Sequence, residues 1–156
     1  MKTLIMLSGI PASGKSTWAS KYQATHPNTF VISSDVIRVE ITGDYQDHSR
    51  QKEVWEEFSN RIHRFGQIED VTVILDALND IDPVREKYVK ENPEFDRYIL
   101  VIFPFNKERT IYYNNLREWP NKVPEDILLN LINKYQEPSE EVRKMFDEVQ
   151  EVTWED

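Results

Sequence analysis

The nine residues GIPASGKST, from Gly9 to Thr17, constrain this chain more than any other stretch, and they directly follow the apolar run TLIML. Gly9, Gly14, Lys15 and Ser16 satisfy the spacing Gly-x-x-x-x-Gly-Lys-Ser/Thr. Two of the chain's four glycines stand here, five residues apart. Glycines let such a loop turn with positive φ, so that main-chain N–H groups point inward around phosphate oxygens. A helix starting near Lys15 adds its positive end. The expected phosphate-binding set is Gly9, Ala12, Ser13, Gly14, Lys15, Ser16 and Thr17. In a loop of this kind Lys15 reaches the β- and γ-phosphates of ATP, and the Ser16 hydroxyl ligates Mg²⁺.

The motif needs a strand before it and a helix after it, and the rest of the chain continues that alternation. Thr3–Leu7, Phe30–Ile32, Val71–Leu75 and Tyr98–Phe103 are short and rich in β-branched or aromatic residues, as buried parallel strands are. Between them Lys15–Ala24 reads as a helix ending before His26-Pro27. Residues 50–65 place Val54, Phe58, Ile62 and Phe65 on one helical face, with Gly66 as C-cap. Asp82-Pro83 suits an N-cap and first turn of a helix running to about Glu91. Pro124 opens another helix, whose expected buried stripe is Ile127, Leu128, Leu131, Ile132 and Tyr135. Val142, Met145 and Phe146 suggest a last helix, and EVQEVTW an edge strand. The expected fold class is α/β: a three-layer P-loop fold in one domain, 1–156, with about five mostly parallel strands, helices on both faces and a helical lid.

Composition narrows the partners. Of the net charge of −9, residues from Gln136 onward contribute eight acidic and two basic groups, a balance of −6, which leaves −3 for residues 1–135. No long basic stripe is present, so any contact with nucleic acid should be short and local. With no cysteine there is no disulfide, thiolate nucleophile or Cys-based metal site. No apolar run approaches the ~20 residues of a membrane span, and MKTLIML reads as a first strand rather than a leader. The expected location is cytoplasmic, with no membrane and no evident protein partner.

A phosphate loop leaves ATPase, GTPase, kinase and switch protein all open, and the acceptor must be sought elsewhere. SSDVIR, after the second strand, offers Asp35 and Arg38 at the carboxyl edge of the sheet, where ligands of wound sheets lie. Asp35 could orient an acceptor hydroxyl and Arg38 hold an acceptor phosphate. Equally, Asp35 could cap a helix and pair with Arg38. The third strand ends VTVILD, and Asp76 there either supports Mg²⁺ and the acceptor or simply opens a turn. Residues 105–123 are polar, aromatic and proline-bounded, as a lid over the nucleotide would be, with Arg117 and Arg109 as candidates to close on the transferring phosphate. A solvated helix face is the plain alternative for either. No Asn-Lys-x-Asp stretch is present to read guanine.

GIPASGKSTWA, SSDVIR, ILDALND and NNLR, in this order, resemble the kinase domain of the phage polynucleotide 5′-hydroxyl kinases, to about Tyr135. The resemblance implies that Lys15 and Ser16 serve ATP and metal, and that Asp35 activates the 5′-hydroxyl. It also implies that Arg38 holds the acceptor's phosphate and that Arg117, rather than Arg109, contacts the donor's phosphates. The acceptor is then a nucleic-acid 5′ end, or else a nucleoside, nucleotide or other small alcohol. An ATP-binding regulatory module without an acceptor is a further alternative. His26, His48 and His63 lack the context of a metal site. Trp18 and Trp55 read as packing, Tyr112, Tyr113 and Trp119 as packing or base-stacking residues of the lid, and RIHRF as a solvated helix face or a local nucleic-acid contact.

Overall fold

In the computed structural model, which describes residues 1–119 and 121–153, five parallel strands form one sheet in the order β2-β3-β1-β4-β5. They are β1 (Thr3–Ser8), β2 (Thr29–Ser33), β3 (Thr72–Asp76), β4 (Arg97–Ile102) and β5 (Glu148–Glu151). The first four expected strands are present, each shifted by no more than about a residue at either end. Val71, expected to begin the third strand, precedes it and instead accepts the Thr3 N–H at 2.9 Å.

Alternation along the strands divides the core between the two faces. Leu4 and Met6 of β1 join a cluster with Ile37, Val54, Phe58, Ile62, Tyr88 and Val142. These come from α2 (Ser34–Thr42), α3 (Gln51–Phe65), α4 (Asp82–Lys90) and α7 (Glu140–Arg143). Ile5 and Leu7 point the other way, to Ala19 and Trp18 of α1 (Lys15–Thr25). Each buried Leu or Ile contributes roughly 1.5–3 kcal/mol, so both helical layers are fixed by the strand residues between them. A third, smaller cluster joins Ile10 of the loop to Ile111 of α5 (Lys107–Leu116) and to Leu128 and Ile132 of α6 (Glu125–Lys134). The root of the lid therefore packs on the loop that should hold phosphate.

Several local expectations change. Asp82 is the first residue of α4 rather than its cap; Ile81 is the cap, and the Asp82 carboxylate accepts Arg85 at 2.9 Å. Ser33, not Asp35, caps α2, its Oγ accepting the Val36 N–H. Ile127 lies exposed rather than in the buried stripe of α6, because that helix faces the core through Leu128 and Ile132. The last helix is a single turn, and Met145 and Phe146 pack beyond its end. The segment after it supplies β5, whose pairing with β4 makes the acidic stretch part of the sheet. Trp154, of the expected edge strand, and Pro120, of the lid, lie outside the described residues.

Candidate active site

The loop between β1 and α1 follows the expected turn, with a different division of labour between its glycines. Positive φ falls at Ala12 (57°) and Gly14 (99°), and Gly9 is not among the positive-φ residues. Gly9 is needed for space: a Cβ there would stand 2.7 Å from Ser13 Oγ and 2.8 Å from Phe103 Cβ, closer than side chains tolerate. Lys15 folds back over the loop, and its Nζ donates to the carbonyls of Gly9 and Ile10, both at 2.9 Å. Burial is the main reason its ammonium loses the proton more easily, at about 8 instead of 10.5. Asp76 and Asp35 oppose the shift, and Arg117 adds to it.

Asp76 closes β3 opposite Ser33 of β2. The Ser16 hydroxyl, at the first turn of α1, donates to Asp76 Oδ2 at 2.8 Å. Burial pushes the Asp76 carboxyl up, against the pull of Lys15, the Ser16 hydrogen bond and Arg117. A desolvated carboxylate bonded to a serine hydroxyl suits a divalent cation whose remaining ligands are phosphate and water. Ser16 and Asp76 are thus the pair that fits Mg²⁺. No cluster of three or more His, Cys, Asp or Glu exists among the described residues to offer another metal site.

Asp35 and Arg38 stand one helical turn apart on α2. The Asp35 side chain is 60% exposed, whereas that of Arg38 is 6% exposed. Arg38 Nη1 donates to Asp35 Oδ1 at 2.6 Å, and its Nε to Gln51 Oε1 of α3 at 3.2 Å. The buried guanidinium sets the position of the open carboxylate. Asp35 is close enough for its charge to act on both Lys15 and Asp76. From the lid, Arg117 follows the last residue of α5, and its charge also acts on both. Arg109 lies over the Tyr113 ring at 4.5 Å. The structure therefore brings together Lys15, Ser16, Asp35, Asp76 and Arg117.

Sequence reasoning missed the corner beneath the loop. Arg85 of α4 is 0% exposed. It donates through Nε to the Asn79 carbonyl (2.8 Å), through Nη1 to Asp82 and through Nη2 to Ser8 Oγ (3.2 Å) and the Gln136 carbonyl. Ser8 immediately precedes Gly9, and Gln136 follows the lid helices, so one guanidinium ties the foot of the phosphate loop to the lid's exit. The Tyr135 ring covers it at 5.5 Å. Asn79 has φ 43° and a buried Oδ1 without a partner, a strained corner held by Arg85 and by the Leu7 carbonyl. Arg85 and Tyr88 are the buried residues of α4, and no hydrophobic pattern in the sequence marks Arg85 as one of them.

His26 stacks on Tyr22, His63 lies 3.4 Å from Glu94, and Trp18 packs on Tyr22. No helix among the described residues is long and apolar enough to cross a membrane.

A parallel sheet whose first strand runs into a Gly-x-x-x-x-Gly-Lys-Ser loop, with an Asp in the first turn of the helix after the second strand, an Asp ending the third strand and a helical lid, defines the P-loop kinase-like α/β fold. Within that class the chain belongs to the KTI12 family, described as chromatin associated protein KTI12, whose model matches residues 2–146. Kti12 of Chaetomium thermophilum, solved in complex with ADP-AlF3, matches with TM-score 0.73 at 19% identity, over 98% of this chain and 90% of that one. A fungal RNA kinase matches at 0.59 and 16%, over 99% and 75% of the two chains. A gluconokinase from Sinorhizobium meliloti matches at 0.57 and 16%, over 96% and 81%. At such identities the likeness is one of fold. No match was found among curated proteins. Of the expected resemblance, these matches support the P-loop kinase-like fold.

Proposed function

We propose that the chain is an ATP-dependent phosphotransferase whose acceptor is the 5′-hydroxyl of a nucleic-acid end. One observation carries the reading: Asp35, an open carboxylate braced from behind by buried Arg38, lies within electrostatic reach of Lys15 and Asp76. A nucleotide switch needs no such group, whereas transfer to a hydroxyl does. Kti12 of Chaetomium thermophilum, with its bound ADP-AlF3, supports nucleotide binding at the loop.

In this reading the loop amides and Lys15 hold the donor's phosphates. Ser16 and Asp76 would hold Mg²⁺, which would neutralise charge on the donor's phosphates. Asp35 accepts the proton of the acceptor hydroxyl. The hydroxyl oxygen bonds to the γ-phosphorus, and the bond from that phosphorus to the β–γ bridging oxygen breaks, releasing ADP. Arg117, carried by the lid, meets the charge on the transferring group. Arg38 positions Asp35 and presents any remaining guanidinium capacity to an acceptor phosphate.

One observation favours a second reading, a nucleotide-gated module without an acceptor: Arg38 is 5% exposed and spends two of its nitrogens on Asp35 and Gln51. Incubation with γ-labelled ATP and a panel of 5′-hydroxyl oligonucleotides, nucleosides and nucleoside monophosphates separates the readings. Label on oligonucleotide ends supports the first. Label only on a small molecule makes the chain a small-alcohol kinase, and release only to water makes it a switch.

A further inference from the structure

Helix α5 is amphipathic in reverse. Toward the protein it turns Thr110 and Asn114, both buried, and the Asn114 amide clasps the Val123 carbonyl and N–H at 2.7 and 3.0 Å. Outward, at the i, i+3, i+4, i+7 spacing of one helical face, it shows Arg109, Tyr112, Tyr113 and Leu116. Trp119 follows just beyond the helix. Tyr112, Leu116 and Trp119 are 60, 62 and 65% exposed. Of the nine exposed large hydrophobic residues among those described, four, Tyr112, Tyr113, Leu116 and Trp119, lie along one face of α5 or just beyond its end. Contiguous exposed apolar surface of this kind marks an interaction site.

Charge selects the occupant. Residues 105–123 hold four basic and two acidic side chains, a balance of +2, which leaves −11 for the rest of a chain at −9. The patch is thus aromatic and positive on an acidic protein. The Arg109 guanidinium carbon already stands 4.5 Å from the Tyr113 ring centroid, a cation set against an aromatic face. Aromatic faces interleaved with cations are what single-stranded nucleic acid takes, bases on the rings and phosphates on the cations. From Arg109 to Leu116 the stripe runs about 10 Å, room for roughly three bases at the ~3.4 Å spacing of a stacked strand. At its far end stands Arg117, whose charge acts on Lys15 and Asp76.

We propose that the outward face of α5, with Trp119, is a stacking platform for unpaired bases of a nucleic-acid strand whose end lies in the phosphoryl-transfer crevice. The platform rests on the acceptor reading above, but its test does not depend on turnover. Binding of a short, 3′-fluorescein-labelled oligothymidylate is followed by anisotropy at low salt, without ATP or metal, for the wild type, Tyr112→Ala, Trp119→Ala, the double variant, Tyr112→Phe and Trp119→Phe. ADP affinity, measured in parallel, reports that the fold is intact. Each alanine weakens oligonucleotide binding about tenfold, within the range of one lost stacked base, and each phenylalanine retains it. A blunt duplex of the same length competes poorly. Wild-type protein that binds no oligonucleotide, or alanine variants that bind it unchanged, would overturn the proposal. So would a concentration-dependent dimer in sedimentation that Leu116→Ala dissolves without affecting oligonucleotide binding, since the stripe would then be a contact between copies. If the alanine variants lose the strand and the wild type transfers no phosphate to it, the platform stands and the acceptor reading falls.

Discussion

Raising the pH from 7 to 9 should weaken ADP binding about tenfold, because the free protein gives up the Lys15 proton within that range. The ammonium is buried and rests on the Gly9 and Ile10 carbonyls, and its pKa falls to about 8 because burial outweighs the pull of Asp76 and Asp35. A polyphosphate in the loop sets negative charge against Nζ and restores the proton, so the protonated free form is the one that binds. The apparent dissociation constant then scales with one plus the ratio of deprotonated to protonated lysine. That factor is about 1 at pH 7, about 2 at pH 8 and about 11 at pH 9, close to 1.4 kcal/mol across the range. The shift also acts on folding. Unfolded Lys15 titrates near its ordinary 10.5, so between pH 8 and 10.5 the unfolded chain keeps a proton that the folded one has released. Stability without nucleotide therefore rises with pH through that window, by up to about 3 kcal/mol relative to Lys15→Met. Calorimetric titration with ADP at pH 7, 8 and 9, on the wild type and Lys15→Met, reads the first effect, and urea unfolding reads the second. An affinity that is flat from pH 7 to 9, or an equal slope in Lys15→Met, would refute the reasoning.

Asp76→Asn should keep the Ser16 hydrogen bond and shed the desolvation that raises the Asp76 carboxyl. The variant is expected to melt a few degrees higher without nucleotide (~1 kcal/mol) while transfer falls by roughly 100-fold or more; a lower melting point would contradict the desolvation argument. With the folded pKa raised, wild-type stability declines as pH climbs through and above the ordinary carboxylate value, and Asp76→Asn loses that decline. Arg85→Met strands the Ser8, Asn79 and Gln136 acceptors and the Asp82 carboxylate, and should cost about 3–5 kcal/mol in urea unfolding. Tyr135→Phe, which loses the hydroxyl's 3.2 Å contact with Ser8 Oγ and its interaction with Arg85, should cost ~1 kcal/mol; an Arg85→Met loss no larger than that of Tyr135→Phe would mean the guanidinium does not hold the corner.

Much of the fold was legible because two periodicities are strong here: buried parallel strands read as short apolar runs, and Val54, Phe58 and Ile62 recur at helical spacing. The phosphate loop was legible because the geometry around a polyphosphate fixes residue types at fixed offsets. Even there, the spacing does not distinguish a glycine needed for φ, Gly14, from one needed for room, Gly9. That difference is set by Phe103, 94 positions away in the sequence. Asp82 was expected as a cap and Asp35 was one candidate for it, yet both stand inside their helices, where Arg38 and Arg85, one turn on, take their carboxylates, and Ser33 and Ile81 are the caps. Arg85 was missed because a buried cation obeys no hydrophobic pattern; its acceptors come from β1, the β3–α4 loop, α4 and the lid's exit. The outward aromatic face of α5 was read as part of a lid, since only burial reveals which side of a helix faces the protein.

The most direct test of the central claim is a rapid-quench comparison of wild type and Asp35→Asn. It follows transfer from ATP to a 5′-hydroxyl oligonucleotide, with release to water measured alongside and nucleotide affinity determined separately. If Asp35 is the acceptor's base, the variant keeps ATP affinity within about twofold and loses about 100-fold or more of the transfer rate, with no comparable loss in release to water. Transfer at the wild-type rate by Asp35→Asn would contradict the account.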